Sequence, residues 1–565
     1  MNASEYSRDG EYLNIASGKR EDSQKTQAQS VSLRWTPADS FDAALRVGFT
    51  RQDDGQAALG YLPHASANCY LATDPYFCGV VPTNDYVNLY SQAPAQLSDP
   101  APFGVRALAY SGSFPFYNGT HQTAVRSSLV ANYRFGDFTL SSLTGWDASH
   151  DKLGYDGSYN GNSPLLFVGN NFFINNFRED SHALSQEFRL SSPRQSRLRY
   201  LAGLYGYYET TAHADMGLPA DTLSYGAQDA YTFSVHDYAI FGQLEFDIVK
   251  DLTASLEARW QRDSIHFDDP LRKYSRFAEY DAFNPRAVLN YRWRPEALVY
   301  ASVGRGTKPG GFNGPSAPSS VPDAFQEERA LAYEVGAKTE WFDHHLRLNA
   351  AIYYTQLRDF VVTETVLTAA GTPTSIDANA AKAHTQGLEF EAAARLAPGL
   401  TLTASYAYTD AKFDDYVGFQ ELCRLAGSYK AACLSTPVSS AAGKQLPNAP
   451  RNQFSLQLDW SHPLTATTSL FIRPAYSYKS EVYDQAENLT STGDQSLLDL
   501  RIGAEGTNWT VSLFGRNLLK EDHATYILRY IEANSFNFGG GFYNRAWAYA
   551  LPNKQQFGAE LRVRF

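Results

Sequence analysis

The sequence predicts an all-β fold: a large transmembrane antiparallel β-barrel with short periplasmic turns and long extracellular loops. Three observations predict it. Apolar and polar side chains alternate with a period of two along many segments, the pattern of a strand with one greasy and one wet face. The connections between these segments alternate short and long. Tryptophans gather beside the short connections, as in an interfacial girdle.

In chain order, FDAALRVGF (41–49) is the first clear alternating segment. In LTASLEARWQ (252–261), Leu252, Ala254, Leu256, Ala258 and Trp260 oppose Thr253, Ser255, Glu257, Arg259 and Gln261. LRLNAAIYYT (346–355), LTLTASYAY (400–408) and NQFSLQLDW (452–460) repeat the theme. About twenty such strands can be counted, several near ten residues long, which suits a large membrane barrel. The short turns are TPADS (36–40), GD (136–137), KD (250–251), RPEA (294–297), DHH (343–345) and APG (397–399). The long connections are expected at 52–122, 152–182, 211–232, 361–384, 413–449 and 518–555. Of 8 tryptophans, Trp35, Trp293, Trp341, Trp460 and Trp509 lie beside short turns, and such a bias favours a girdle over core plugs at sheet corners. The chain ends QQFGAELRVRF (555–565), with Phe557, Leu561, Val563 and Phe565 on one face. Backbone polar groups cannot stay unpaired in lipid, so this last strand is expected to close the barrel.

Composition narrows the function. Aromatics make up 14% of the 565 residues and charged groups 19%; the net charge of -12 argues against general nucleic-acid binding. No window holds the run of about eighteen apolar residues that a spanning helix needs. The N-terminus, MNASEYSRDGEYLN, does not read as a signal peptide. The cysteines fall as local pairs, Cys69 with Cys78 and Cys423 with Cys433, and suit two disulfide loops; free thiols or a metal site are the alternatives, although the spacing fits no common zinc pattern. No GxSxG, HExxH, P-loop or CxxC motif is present, so no catalytic residue, cofactor or metal site is assigned. His344 and His345 fall in a turn and read as solvated. Asp410, Asp414 and Asp415, in ASYAYTDAKFDDY (404–416), offer a cation site or, preferably, a solvated loop. Aromatic stretches GSFPFYNGT (112–120) and FVGNNFFINNF (167–177) suit a flat or sugar-like ligand, or loops packing on each other. Glu257, Arg259, Arg347 and Asn349 are expected to face a wet lumen.

Two stretches carry a family resemblance. YASVGRGTKPGGFNG (300–314), with Lys308, Gly310, Gly311, Phe312 and Asn313, resembles the mid-barrel motif of TonB-dependent receptors. VSLFGRNLLKEDHATY (511–526), with Asn517 and Leu518, resembles their near-C-terminal motif. SRDGEYLN (7–14) and SLRWTPADSFDAAL (32–45) look like an early barrel hairpin of the same family, so the resemblance covers residues 1–565 as one barrel. The terminal Phe565 resembles the signal that such barrels present to their assembly machinery. Gly310 and Gly311 are read as a bend or bulge at the barrel rim, and Asn517 as a turn cap.

The resemblance implies a multi-pass protein of the Gram-negative outer membrane. Its partners would be membrane lipid, the barrel assembly machinery and an extracellular ligand. It implies energised uptake of a ferric siderophore, haem, cobalamin or oligosaccharide. The family's signal peptide, plug and TonB-contact segment are not recognisable in this sequence, so about two strands of a twenty-two-strand type are expected to be missing. TonB would engage only if a plug is supplied upstream. The alternatives are a plugless passive pore or a non-functional receptor fragment, and a secreted all-β binding protein.

Overall fold

The computed structural model describes residues 1–71, 74–89, 119–156, 174–215, 230–315, 317, 321–367, 373–416, 440–532 and 544–564. Its main feature is a 20-stranded antiparallel sheet. The first strands are β1 (Asn2–Arg8), β2 (Gln24–Ala38), β3 (Phe41–Asp54), β4 (Gly119–Phe135) and β5 (Phe138–Asp156). Next come β6 (Ile174–Ser191), β7 (Leu198–Asp215), β8 (Ala230–Val249), β9 (Leu252–Asp269) and β10 (Tyr274–Arg294). The sheet continues with β11 (Ala297–Lys308), β12 (Glu328–Trp341), β13 (Leu346–Leu367), β14 (Pro373–Ala397) and β15 (Leu400–Tyr416). It ends with β16 (Asn452–Pro463), β17 (Thr468–Lys479), β18 (Gln495–Gly506), β19 (Trp509–Arg516) and β20 (Gln556–Val563). Each strand pairs antiparallel with its neighbours in the chain, so the topology is a simple meander.

The two faces differ as the alternation requires. Leu33, Trp35, Leu256, Ile352, Leu513, Phe557 and Leu561 point outward and are exposed. Ser255, Asp263 and Ser512 point inward and are buried. Trp35, Trp293, Trp341, Trp460 and Trp509 all stand within a few residues of short turns at one end. On the outer face of β9 the apolar run from Leu252 ends at Arg262, which grips Asp281 of β10 with two bonds of 2.9 Å. Ten residues separate Leu252 from Arg262. At about 3.3 Å per residue and a tilt of about 40°, that run rises about 25 Å, the height of a membrane barrel's apolar band.

Four expectations are corrected. Residues 361–384 are not a long loop: β13 and β14 stay paired from Val361↔Asn379 to Leu367↔Pro373, beyond a bulge at Leu357/Phe360. The strand begun at 400–408 runs on through 409–416 rather than passing into a loop: Asp410 binds Lys412 at 2.9 Å and Asp414 lies 2.6 Å from His384 Nδ1, so these carboxylates have separate partners. The hairpin β9–β10 also turns tightly, at 270–273, at the long-loop end.

The fourth correction concerns closure. Among the described residues no ladder joins β20 to β1. The β1–β2 ladder runs from Asn2↔Ser30 to Arg8↔Gln24. The edges do meet at their outer ends. Arg8 donates to Asn553 Oδ1 at 2.9 Å, and Glu11 accepts from the Lys554 amide at 2.8 Å and from the Gln556 side chain. These bonds clasp the two edges at the outer rim.

Beyond the rim, the long connections pack into a small globular cap. Tyr526–Ile531, Arg545–Ala550 and Leu59–Leu62 form a three-stranded sheet. Behind it lies a core of Leu62, Tyr76, Phe77, Val81, Ile527, Trp547 and Tyr549. The Trp547 ring meets Tyr76 edge-on at 5.1 Å.

Candidate functional site

The site is best built from the rim inward. Both family-like motifs lie there, and each is explained by geometry. Asn517 follows β19 in a left-handed conformation, φ 50°, which asparagine tolerates. Its amide donates to the carbonyls of Glu521 and Asn553 at 2.9 Å each, and its Oδ1 accepts the Glu521 amide at 2.7 Å. Asn517 therefore stitches its own turn to the segment entering β20, the capping role read from the sequence. The Leu518 amide donates back to Leu498 of β18 at 2.8 Å.

The KPGGFN motif does the same across a wider gap. Asn313 is buried; its side chain donates to the carbonyls of Pro322 and Asp377 at 3.1 Å each and accepts the Asp377 amide at 2.7 Å. Phe312 pairs with Ala324 and Gly311 with Phe325 in a two-residue ladder. A Cβ on Gly310 would meet the Phe325 carbonyl at 2.0 Å, and one on Gly311 the Phe325 ring at 2.6 Å. Neither glycine has positive φ among the described residues, and close approach of the chain is reason enough for both. Lys308 pairs with Glu328 at 3.3 Å.

The Asn313 clasp holds one end of a structure that sequence reading missed. Across the inner faces of β6 to β10, at their outer ends, Phe177, His213, Tyr231, Phe267 and Tyr274 form a continuous ladder of rings. Successive centroids are 5.0, 4.7, 5.2 and 6.0 Å apart. His213 and Tyr231 stack nearly parallel, at 10°. The Arg276 guanidinium lies 4.1 Å from the Tyr274 ring and donates to Asp323 at 2.8 Å. The Tyr274 hydroxyl donates to the Asn313 carbonyl at 2.8 Å, and His213 Nδ1 lies 3.0 Å from Glu179. The ladder presents a strip of π surface with an arginine–aspartate pair at one end and a histidine–carboxylate pair at the other, an arrangement suited to a flat, polyoxygenated ligand.

Below the ladder the lumen wall is wet and ionic. Arg199 of β7 donates to Asp247 at 2.7 and 2.8 Å and to Glu245 at 3.1 Å. Arg259 donates to Asp237 at 3.0 Å, and Arg473 to Asp459 at 2.8 Å. Glu257 reaches Arg286 at 3.4 Å and Asn349 reaches Glu391 at 3.1 Å, placing these groups on the inner face. Arg347 lies on the same face of β13 as Asn349 by alternation.

Above the ladder, the cap encloses charge. Arg529 donates to Glu487 at 3.2 Å, with both side chains almost fully buried. Burial pushes the neighbouring Asp484 carboxyl up to about 7, with Arg529 pulling it down and Glu487 raising it. Cys69 and Cys78 form a disulfide, with Cα atoms 6.0 Å apart, that pins the loop carrying Tyr76 and Phe77 to the cap. Cys423, Cys433, most of the aromatic stretches 112–120 and 167–177, and Phe565 lie outside the described residues. Glu521, Asp522 and His523 bring ligand-type atoms within 4.8 Å of one another. The Glu521 carboxylate, however, accepts the amides of Ser496 at 2.6 Å and His523 at 2.9 Å, which makes it a brace of the Asn517 turn.

Comparison with known proteins bears on this geometry. The family described as "TonB dependent receptor-like, beta-barrel" matches residues 79–518. The probable TonB-dependent receptor BfrD of Bordetella pertussis is 28% identical over 218 residues, 38% of this chain and 25% of BfrD, so the match spans a quarter of that relative's length. Among solved structures, the ferric yersiniabactin uptake receptor FyuA of Yersinia pestis superposes with TM-score 0.70 at 17% identity, covering 99% of this chain and 74% of its own. The siderophore receptor PiuA of Acinetobacter baumannii gives 0.69 at 14% identity, over 98% and 77%. The copper transporter OprC gives 0.64 at 12% identity, over 100% and 75%. At these identities the superpositions establish the fold alone.

Proposed function

The chain belongs to the TonB-dependent receptor family, a family of transporters rather than enzymes found in the Gram-negative outer membrane, and on that premise we propose that it forms the barrel of a receptor for energised uptake of a scarce, large nutrient. The cargo class favoured is a ferric siderophore, ahead of haem, cobalamin or an oligosaccharide. The observation that carries this reading is the aromatic ladder at the lumen mouth, flanked by Arg276. Stacked rings bind a flat ligand face or edge. FyuA and PiuA are named for siderophore uptake, which supports the same class.

The mechanism follows the geometry from outside inward. Loops around the cap admit the ligand, the ladder holds it at the rim, and the ionic lumen wall offers a hydrated path below.

The test is uptake of a panel of radiolabelled ferric siderophores by iron-starved cells expressing the full receptor, with and without a functional TonB. TonB-dependent accumulation of one siderophore is expected. Equal accumulation without TonB would favour a passive pore, and accumulation of none would remove the siderophore assignment.

A further inference from the structure

Just above the apolar band, on the outside of the barrel, β11, β12 and β13 bring three arginines together. Arg329 and Arg358 are directly opposed across the β12–β13 ladder. Arg305 sits diagonally from Arg329, since its own partner is Leu331. Like charges directly opposite on neighbouring strands are unfavourable by themselves. The local carboxylates neutralise them only in part. Glu327 lies 2.7 Å from Arg329 and 4.0 Å from Arg305, and Asp359 lies 3.7 Å from Arg329. Among the described residues Arg358 has no ion pair, and its side chain is exposed. The cluster thus keeps a net positive charge.

Its position is as informative as its charge. All three arginines share the outward face with Val303, Val335 and Ile352, which lie deeper on the same strands and are exposed. On each strand, the arginine is the first charged side chain beyond the apolar run. The short turns at the opposite end mix signs instead: Lys250 beside Asp251, and Asp343 beside His344, which pairs with Glu340.

We propose that Arg305, Arg329 and Arg358 form a docking site for a phosphate-bearing lipid headgroup of the outer leaflet. Guanidinium groups bind phosphate through paired N–H donors, and headgroup phosphates stand at this level of a bilayer. A bound phosphate would relieve the Arg329–Arg358 repulsion and fix a lipid against the β11–β13 wall, beneath the loop carrying the Asn313 clasp. The inference rests on the barrel spanning a bilayer, so its test reads insertion separately.

The full receptor and its R305Q/R329Q/R358Q variant are folded into phosphatidylcholine vesicles, with or without phosphatidic acid. Insertion is read by gel migration without heating, and lipid retention by native mass spectrometry. Both proteins should insert equally into phosphatidylcholine. Wild type should retain phosphatidic acid and gain thermal stability from it, and the variant should lose both. Each arginine near an anionic surface is worth a factor of about five, so the three together should weaken retention on the order of a hundredfold. An R305K/R329K/R358K variant keeps the charge and should fall between the two. Equal retention by wild type and the glutamine variant would overturn the site. Stabilisation of wild type in plain phosphatidylcholine by inorganic phosphate alone, to the same extent, would overturn the lipid assignment. Failure of both proteins to insert would overturn the barrel premise, and the site with it.

Discussion

Replacing Leu256 with arginine should be far more costly than any neighbouring change, because of where the residue sits. Leu256 is on the outward face of β9 and 61% exposed. It lies four residues from Leu252 at the turn and six from Arg262 at the outer rim of the apolar run. At about 3.3 Å per residue and a tilt of about 40°, it stands about 10 Å into a band about 25 Å tall, close to the bilayer midplane. Arginine at that depth costs about 2–4 kcal/mol, falling to about 0–1 kcal/mol near either interface. Leu252→Arg is therefore the internal control. Glu257→Gln, one residue along, changes only the lumen face and removes a partly exposed ion pair to Arg286 at 3.4 Å, worth less than about 1 kcal/mol. Urea titration of the vesicle-inserted protein, followed by tryptophan fluorescence and by gel migration without heating, measures all three. A Leu256→Arg cost under about 1 kcal/mol, or equal costs at 252 and 256, would refute the depth assignment.

Other consequences can be checked on the same preparation. Asn517→Ala strands the part-buried Glu521 amide and the carbonyls of Glu521 and Asn553, and should destabilise by about 1–3 kcal/mol in the same urea titration, whereas a nearby exposed change such as Leu519→Ala should not. Cys69→Ser with Cys78→Ser opens a ring with a sequence separation of 9. The loop-entropy relation gives a loss of about 2.5–3 kcal/mol, confined to the cap and visible as faster proteolysis of residues 55–89. Asp484 faces Glu487, Arg529 and Tyr76, and its folded pKa of about 7 lies above the unfolded value. The folded cap therefore holds a proton that the unfolded chain releases, so this stabilisation is complete below about pH 4 and is lost as pH rises toward about 7. Amide protection factors in 480–494, corrected for the base-catalysed intrinsic rate, should fall over that window in wild type and stay flat in Asp484→Asn.

The barrel was legible in the sequence because lipid leaves only one reading of its strands. Where the outer face must be greasy and the inner face wet, as from Leu252 to Trp260, alternation marks both the strand and its orientation. Beyond the bilayer both faces are wet, so hydropathy no longer alternates while the backbone ladder continues. That is why 361–384 read as a loop although Val361–Leu367 pairs with Pro373–Asn379. The seam was misread for a different reason: periodicity shows that β20 is a strand, but only register shows what lies beside it. The Asn517 cap was legible because a lone asparagine after a strand has few other uses. The close approach at Gly310 was not legible because the atom that excludes a side chain there, the Phe325 carbonyl, comes fifteen residues later in a separate two-residue strand. The aromatic ladder is the largest omission. Its rings come one from each of five strands, and nothing local marks them; aligning the hairpins by their short turns would have brought His213, Tyr231 and Phe267 to one level.

The account rests most heavily on that ladder being where ligand binds. The decisive measurement is the affinity of the full receptor for its transported siderophore, by calorimetry, in wild type and in a Tyr231→Ala/Phe267→Ala/Tyr274→Ala variant, with gel migration confirming that both are folded. The account predicts that the variant stays folded and loses tenfold or more in affinity, from about 0.5–1.5 kcal/mol for each ring removed. A folded variant that binds as tightly as wild type would contradict it, and would move the site into the loops above the rim.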